Sequence, residues 1–261
     1  MNNLQAIILG IVEGLTEFLP VSSTFHLIFS AKLLGLESSE FLKLFDVFIQ
    51  SGAIFALVFI YATTLLTNKK LFMNVVYAFI PTAIVGTVLY KVIKGIFFEA
   101  DWLMLGVFIL VGILFIFLEK YLKNHQITLA KNCDHLTPRD SLIIGTSQAL
   151  SVVPGVSRAG SVIVAMMILG YKREEAAKFT FLLSLPTIFA ASAMDLYQSR
   201  ELLASMSGGW GLLATGSVIS LIVAYLVVKW FTTYLAHHTL EIFGWYRLVL
   251  GSLIIISMAL L

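Results

Sequence analysis

The sequence predicts an all-α integral membrane protein of six transmembrane helices and two re-entrant helix hairpins, forming one membrane domain over residues 1–261. Three observations carry this. Hydrophobic residues make up 59% of the 261-residue chain and charged residues 12%, which is more apolar surface than one soluble core can bury. Six apolar runs, 44–66, 71–93, 102–121, 176–197, 210–230 and 244–261, can each cross about 30 Å of hydrocarbon, a distance that takes roughly 17–25 helical residues. Two further pairs of stretches, 4–19 with 24–36 and 141–153 with 157–169, are individually too short, and a proline turn breaks each pair. Such pairs enter and leave by the same side of the membrane.

No Lys or Arg precedes Lys32, and the first run carries Glu13 and Glu17, so it is expected to stay in the mature protein rather than act as a cleaved signal. Gly10 and Gly14, four apart, are expected to mark close helix packing. Trp102, Trp210, Trp230, Trp245 and Tyr246 lie near span ends and read as interface anchors. The single cysteine, Cys133, falls in a polar loop and allows no internal disulfide. A net charge of +2 says nothing about nucleic acid, and no such partner is expected; the charge distribution says more. Lys69, Lys70, Lys120, Lys123, Lys131, Arg139, Lys172, Arg173, Lys178 and Lys229 lie in or beside the loops 67–70, 122–140, 170–175 and 231–243, against Lys32, Lys43, Lys91, Lys94 and Arg200 on the other side. The positive-inside rule then puts both termini outside. His237 and His238 beside Glu241 read as a wet cytoplasmic loop rather than a metal site.

The chain is expected to repeat itself, with a first repeat over 1–123 and a second over 138–261. Gly10, Leu15, Val21 and Ser22 recur 135 residues later as Gly145, Leu150, Val156 and Ser157, and Phe45, Ile54, Phe55 and Ala56 recur 134 later as Phe179, Ile188, Phe189 and Ala190. Three spans per half force the second half to insert upside down. Inverted repeats bring their broken elements together at the midplane, where substrate and ion sites form.

That meeting assembles unusual chemistry. Glu13 and Glu17 are one helical turn apart in an apolar run, where like charges repel and an unpaired charge is costly, so they need a cation, either a metal ion or an arginine. The first turn adds Ser22, Ser23, Thr24 and His26; the second supplies Gly155, Ser157, Arg158, Gly160 and Ser161. Serines at the starts of half-helices sit beside backbone N–H groups that cradle anions, and Arg158 adds a planar fork suited to phosphate oxygens. Gln50 reads as a hydrogen-bonding side chain at the site wall. Ser23 and His26 are three apart and can share a face, with His26 drawing the proton from Ser23; the alternative reading of His26 is an interhelical hydrogen bonder. The set suggests phosphoryl chemistry with a divalent metal, Mg²⁺ or Ca²⁺, on Glu13 and Glu17.

At these residues the chain resembles the undecaprenyl-diphosphatases, also called bacitracin-resistance proteins. The resemblance rests on Glu13-Gly14-Leu15-Thr16-Glu17-Phe18-Leu19-Pro20-Val21-Ser22-Ser23-Thr24 with His26, and on Pro154-Gly155-Val156-Ser157-Arg158 with Gly160. Ile49-Gln50, Phe181-Leu182-Leu183 with Pro186, Asp195-Leu196-Tyr197 and Tyr246-Arg247 support it. It implies removal of the terminal phosphate of undecaprenyl pyrophosphate at the outer face of the bacterial inner membrane, which recycles the lipid carrier of cell-wall synthesis. It also implies roles: Glu13 and Glu17 for the metal, Ser23 as nucleophile, His26 for proton transfer and Arg158 as phosphate clamp. The expected partner is the polyprenyl pyrophosphate lipid, for which bacitracin competes indirectly by binding that substrate; a homodimer is compatible with the sequence. The chain departs from the family's usual Gly, Ser and Thr at Phe25, Ala159 and Val162, and Phe25 is expected to line the apolar edge of the site or to displace the turn backbone. A flippase or transporter for polyprenyl phosphate is the alternative, since inverted repeats with broken helices also build transporters. Ser23 discriminates, because hydrolysis through a phosphoserine requires it and transport does not.

Overall fold

The computed structural model describes residues 1–92, 101–205 and 208–260. Among these the only β pairing is an isolated bridge between Lys131 and Tyr171. The chain opens with two short helices, α1 (Asn3–Thr16) and α2 (Ser23–Leu33). At 1.5 Å per residue their 14 and 11 residues reach roughly 21 and 16 Å, too little to cross a bilayer. Asn2 starts α1 with a capping box, accepting from the Gln5 N–H at 2.9 Å while the Gln5 side chain accepts from its own N–H at 2.8 Å. Three long helices follow: α3 (Glu40–Thr67), begun by Ser39 Oγ accepting from the Leu42 N–H at 3.1 Å, then α4 (Lys69–Val92) and α5 (Asp101–Asn124).

The second half has the same order. Thr137 and Asp140 form a capping box with Pro138 at the first helical position, which starts α6 (Pro138–Ala149). A 3₁₀ turn at Leu150–Val152 leads to α7 (Arg158–Ile168), and then come α8 (Arg173–Gln198), the short α9 (Arg200–Ser205), α10 (Gly209–His237) and α11 (Glu241–Leu260). Among the described residues six helices, α3, α4, α5, α8, α10 and α11, are long and apolar enough to cross a membrane. They coincide with the six predicted runs and mostly overrun them, α10 by seven residues at its C-terminal end, where Phe231 and Leu235 are still buried against the bundle. Ile93, Lys94 and Leu261 lie outside the described residues.

The two halves interlock. The first short helix of each half packs along a long helix of the other, α1 on α10 and α6 on α4, while α3 meets α8 and α5 meets α11. Contacts this close need glycine. A Cβ on Gly10 would stand 2.6 Å from the Gly216 carbonyl oxygen, and one on Gly145 would stand 2.0 Å from that of Ala78. These two glycines are a pair from the sequence repeat. Large apolar side chains such as Phe59, Phe117 and Leu226 remain exposed on the outer faces of the spans, where lipid would cover them. Phe18 from the first turn inserts into the centre and meets Phe181 of α8 edge-on at 5.5 Å between rings.

Candidate active site

The turn between α1 and α2 and the turn between α6 and α7 face each other. Glu17 caps the C-terminus of α1, one helical turn past Glu13, with its N–H bonded to the Glu13 carbonyl at 2.9 Å. From the opposite turn Arg158 Nη2 donates to Glu17 Oε1 at 2.7 Å and to Gln50 Oε1 of α3 at 3.2 Å. Ser23 Oγ donates to the other Glu17 oxygen, Oε2, at 2.5 Å. One nearly buried carboxylate thus holds a hydroxyl on one oxygen and a guanidinium on the other.

Two serines shape the turns. Ser22 and Ser157 have φ of 67° and 74°, a left-handed region that side chains rarely adopt, and each immediately precedes a short helix. Strain of this kind persists where surrounding structure enforces it, and it gathers at functional sites. Ser157 Oγ accepts from the Gly160 N–H at 3.1 Å, whereas Ser22 makes no side-chain cap, which leaves its hydroxyl unspent on α2. Gly155 lets the second turn press on α5: φ is 95°, and a Cβ there would stand 2.6 Å from the Met104 carbonyl oxygen.

Between the turns lies a cavity of about 340 Å³. Its polar end is lined by Glu17, Ser22, Ser23, Thr24, Gln50, Gly155, Ser157 and Arg158. The rest is largely apolar, with Phe79, Ala83 and Gly86 from α4, Ala190, Ala191 and Met194 from α8, and Lys43 and Asp195 also on the wall. A charged head beside an apolar flank is the shape of a lipid phosphate site.

Several predicted residues stand elsewhere. His26 does not face Ser23: its Nδ1 lies 2.8 Å from the Ser22 carbonyl and its Nε2 lies 2.7 Å from the Tyr246 hydroxyl of α11. A carbonyl only accepts, so Nδ1 carries the proton, and in the neutral ring Nε2 accepts from Tyr246. The i to i+3 spacing does not give one shared face here, because Ser23 at the first helical position turns back toward Glu17. Glu13 is fully buried behind the cavity, beside Glu17, and among the described residues neither of its carboxylate oxygens has a hydrogen-bond partner. Gly160 and Ser161 support the turn from behind. A Cβ on Gly160 would meet the Phe115 ring at 2.7 Å, and Ser161 Oγ donates to the Ser157 carbonyl at 2.9 Å. Phe25 neither lines the cavity nor displaces the turn. It is buried and stacks on Phe108 of α5 with ring centroids 3.8 Å apart, and no positive φ is present at its backbone. Ala159 and Val162 are likewise buried and off the wall.

Three features escaped the sequence reading. Gln148 of α6 donates to Thr82 Oγ1 of α4 at 2.9 Å and to Thr187 Oγ1 of α8 at 3.1 Å, tying together two cavity walls. Lys43 adds a second cation to the lining. Arg247 was noted in the sequence without a role, yet it is fully buried against both turns. A glutamine in an apolar helix was the available signal for Gln148.

Among the described residues no cluster of three or more His, Cys, Asp or Glu side chains could by itself hold a metal ion. The donors present still suit a hard divalent cation that shares its coordination with phosphate, because Glu13 has two buried carboxylate oxygens with no hydrogen-bond partner among the described residues, one helical turn from Glu17.

The family profile described as Bacitracin resistance protein BacA matches residues 6–253. Similar proteins bear the name undecaprenyl-diphosphatase: one from Aquifex aeolicus is 42% identical over 96% of this chain and 96% of its own, and one from Campylobacter fetus is 42% identical over 98% and 99%. A third, from Sulfurihydrogenibium, is 42% identical over 97% and 98%.

Proposed function

The chain belongs to the bacitracin-resistance family, and from that premise we propose that it hydrolyses undecaprenyl pyrophosphate to undecaprenyl phosphate and inorganic phosphate. The carrying observation is the array Ser23–Glu17–Arg158 at the polar end of a cavity with an apolar flank. The relatives' names lend no support to transport without hydrolysis.

The residues suit the following sequence. The pyrophosphate enters the polar end while the first isoprene units lie along Phe79, Ala83, Ala190 and Met194. Arg158 exchanges its bond with Glu17 for phosphate oxygens, for which its planar fork is suited. Glu17 keeps the Ser23 hydroxyl and takes its proton as Oγ attacks the terminal phosphorus. The bond to the bridging oxygen breaks, undecaprenyl phosphate leaves, and water then cleaves the phosphoserine to release phosphate and restore Ser23. The N-terminal ends of α2 and α7 line the cavity through Ser23, Thr24, Ser157 and Arg158, where helix N-termini favour the developing negative charge. His26, hydrogen-bonded to Tyr246, holds the Ser22 backbone rather than the nucleophile. A divalent cation, Mg²⁺ or Ca²⁺, on Glu13 and Glu17 would neutralise phosphate charge.

The exchanged packing of α1 on α10 and α6 on α4 supports the inverted-repeat reading. The excess of Lys and Arg in the loops 67–70, 122–140, 170–175 and 231–243 supports an orientation in the bacterial inner membrane with both termini and the active site facing outward. Phosphate release from undecaprenyl pyrophosphate by the purified protein tests the reading. Ser23→Ala and Glu17→Gln are each expected to abolish turnover while the protein stays folded, and a chelator is expected to suppress the wild type. Activity that survives Ser23→Ala would remove the phosphoserine route; activity that survives both chelation and Glu17→Gln would remove the metal role.

A further inference from the structure

Arg247 of α11 is wholly buried, and among the described residues no carboxylate pairs with it. A guanidinium stripped of water and lacking a counter-ion must be compensated by other dipoles. Its compensation is specific. Nε donates to the Pro20 carbonyl at 2.9 Å, Nη1 to the carbonyls of Gly155 at 2.8 Å and Phe108 at 3.2 Å, and Nη2 approaches that of Val156 at 3.4 Å. The rings of Phe108 and Phe115 flank it, 4.8 and 5.3 Å from the guanidinium carbon. Pro20 stands two residues before Ser22, and Gly155 and Val156 stand immediately before Ser157. One side chain thus grips the backbones of both turns, directly upstream of the two strained serines, and anchors them to α5.

We infer that Arg247 is a positioning residue that sets the separation between the Ser23–Glu17 turn and the Arg158 turn. The need for it follows from the chemistry, and the inference rests on the function proposed above. In the structure the turns are also joined by the Arg158–Glu17 bond, but that bond must open when Arg158 takes phosphate. A tie that does not face the substrate then has to keep the nucleophile and the clamp in register. Arg247 is absent from the cavity wall and makes its bonds to backbone, so substrate does not compete for it. Lysine would keep the charge but cannot reach carbonyls on both turns at once.

The test is steady-state kinetics of purified Arg247→Lys and Arg247→Gln, with the folded fraction measured by gel filtration and thermal melting. Misplacement of reacting groups predicts a fall in kcat of about thirtyfold or more with KM changed less than about threefold. A double-mutant cycle with Arg158→Lys separates positioning from mere stability. If Arg247 acts through the register of Arg158, adding Arg247→Lys to Arg158→Lys lowers kcat by less than about threefold further. A folded Arg247→Lys protein with kcat within about threefold of wild type overturns the inference, as does a fully multiplicative double variant. Loss of folding in both the Lys and Gln variants makes Arg247 a stability residue and overturns it as well. A wild-type protein that releases no phosphate would instead overturn the proposed function itself.

Discussion

Glu17 holds the Ser23 hydroxyl and the Arg158 guanidinium on its two oxygens, so this residue, which the sequence offers both as a catalytic group and as a metal ligand, is the group nearest the nucleophile's proton. That doubling explains why Arg158 should tolerate so little change. Arg158→Lys keeps the charge but loses the fork, and it is expected to lower kcat by about a hundredfold or more, on the scale of losing one preorganised donor. KM should move far less; a near-normal rate in a protein of lower thermal stability would make Arg158 structural. Phe25 leads to a different expectation. Its ring is stacked on Phe108 and packed with Met104 and Leu105, away from the cavity, so its bulk fills the interface between α2 and α5. Phe25→Gly should therefore act on stability, by about 3–5 kcal/mol as for other buried Phe truncations. A melting scan in detergent measures this, and an unchanged midpoint with altered turnover would return Phe25 to the site. Which residues are polar and intramembrane was legible at this scale. Which of them face one another was not: Ser23 and His26 share a helix, but their side chains diverge to Glu17 and Tyr246.

At the scale of elements, the broken helix pairs were legible because each stretch is too short to span and a turn holding a single proline, Pro20 or Pro154, separates the two members of each pair. Gly10 and Gly145, and Ser22 and Ser157, which the expected repeat pairs, have matching local settings. Each glycine seats a short helix against a long helix of the other half, and each serine takes a positive φ ahead of the next helix. The close approach can be tested. Gly145→Ala sets a methyl against the α4 backbone and should cost about 1–3 kcal/mol of stability, as overpacking does elsewhere. Gly106→Ala, where an added methyl meets nothing outside its own helix backbone within 4 Å among the described residues, should leave the melting midpoint unchanged or slightly raised. Equal effects of the two substitutions would argue against the α4–α6 contact. The walls built by α4 and α8, and the Gln148 bond that joins them, were not legible, because threonine, alanine and glycine in a span carry no signal of which side they face.

For the whole molecule, a salt bridge at one end and a bidentate pair at the other illustrate how charge is spent. Arg173 and Glu119 tie the start of α8 to the end of α5 beside the lysine-rich loops, and Lys32 pairs with Asp101 at the opposite end. The orientation inferred from those loops can be read with introduced thiols, since the native one is silent. Cys133 is buried, and burial, reinforced by the nearby Glu175, pushes its thiol up out of the reactive range. Glu37→Cys, at an exposed site, should react with an impermeant maleimide in intact cells, and His125→Cys, also exposed, only after permeabilisation. The reverse pattern would invert the topology. The sequence by itself determined that the chain crosses a membrane, how many times, where it breaks, and which motif places it in its family, because hydropathy and span length are local properties that lipid enforces segment by segment. Only the tertiary structure decided that Glu17 rather than His26 meets Ser23, that Phe25 turns away from the cavity, and that Arg247 grips both turns. Those outcomes depend on contacts between residues up to 227 positions apart, and helix rotation and packing, not composition, set which faces meet.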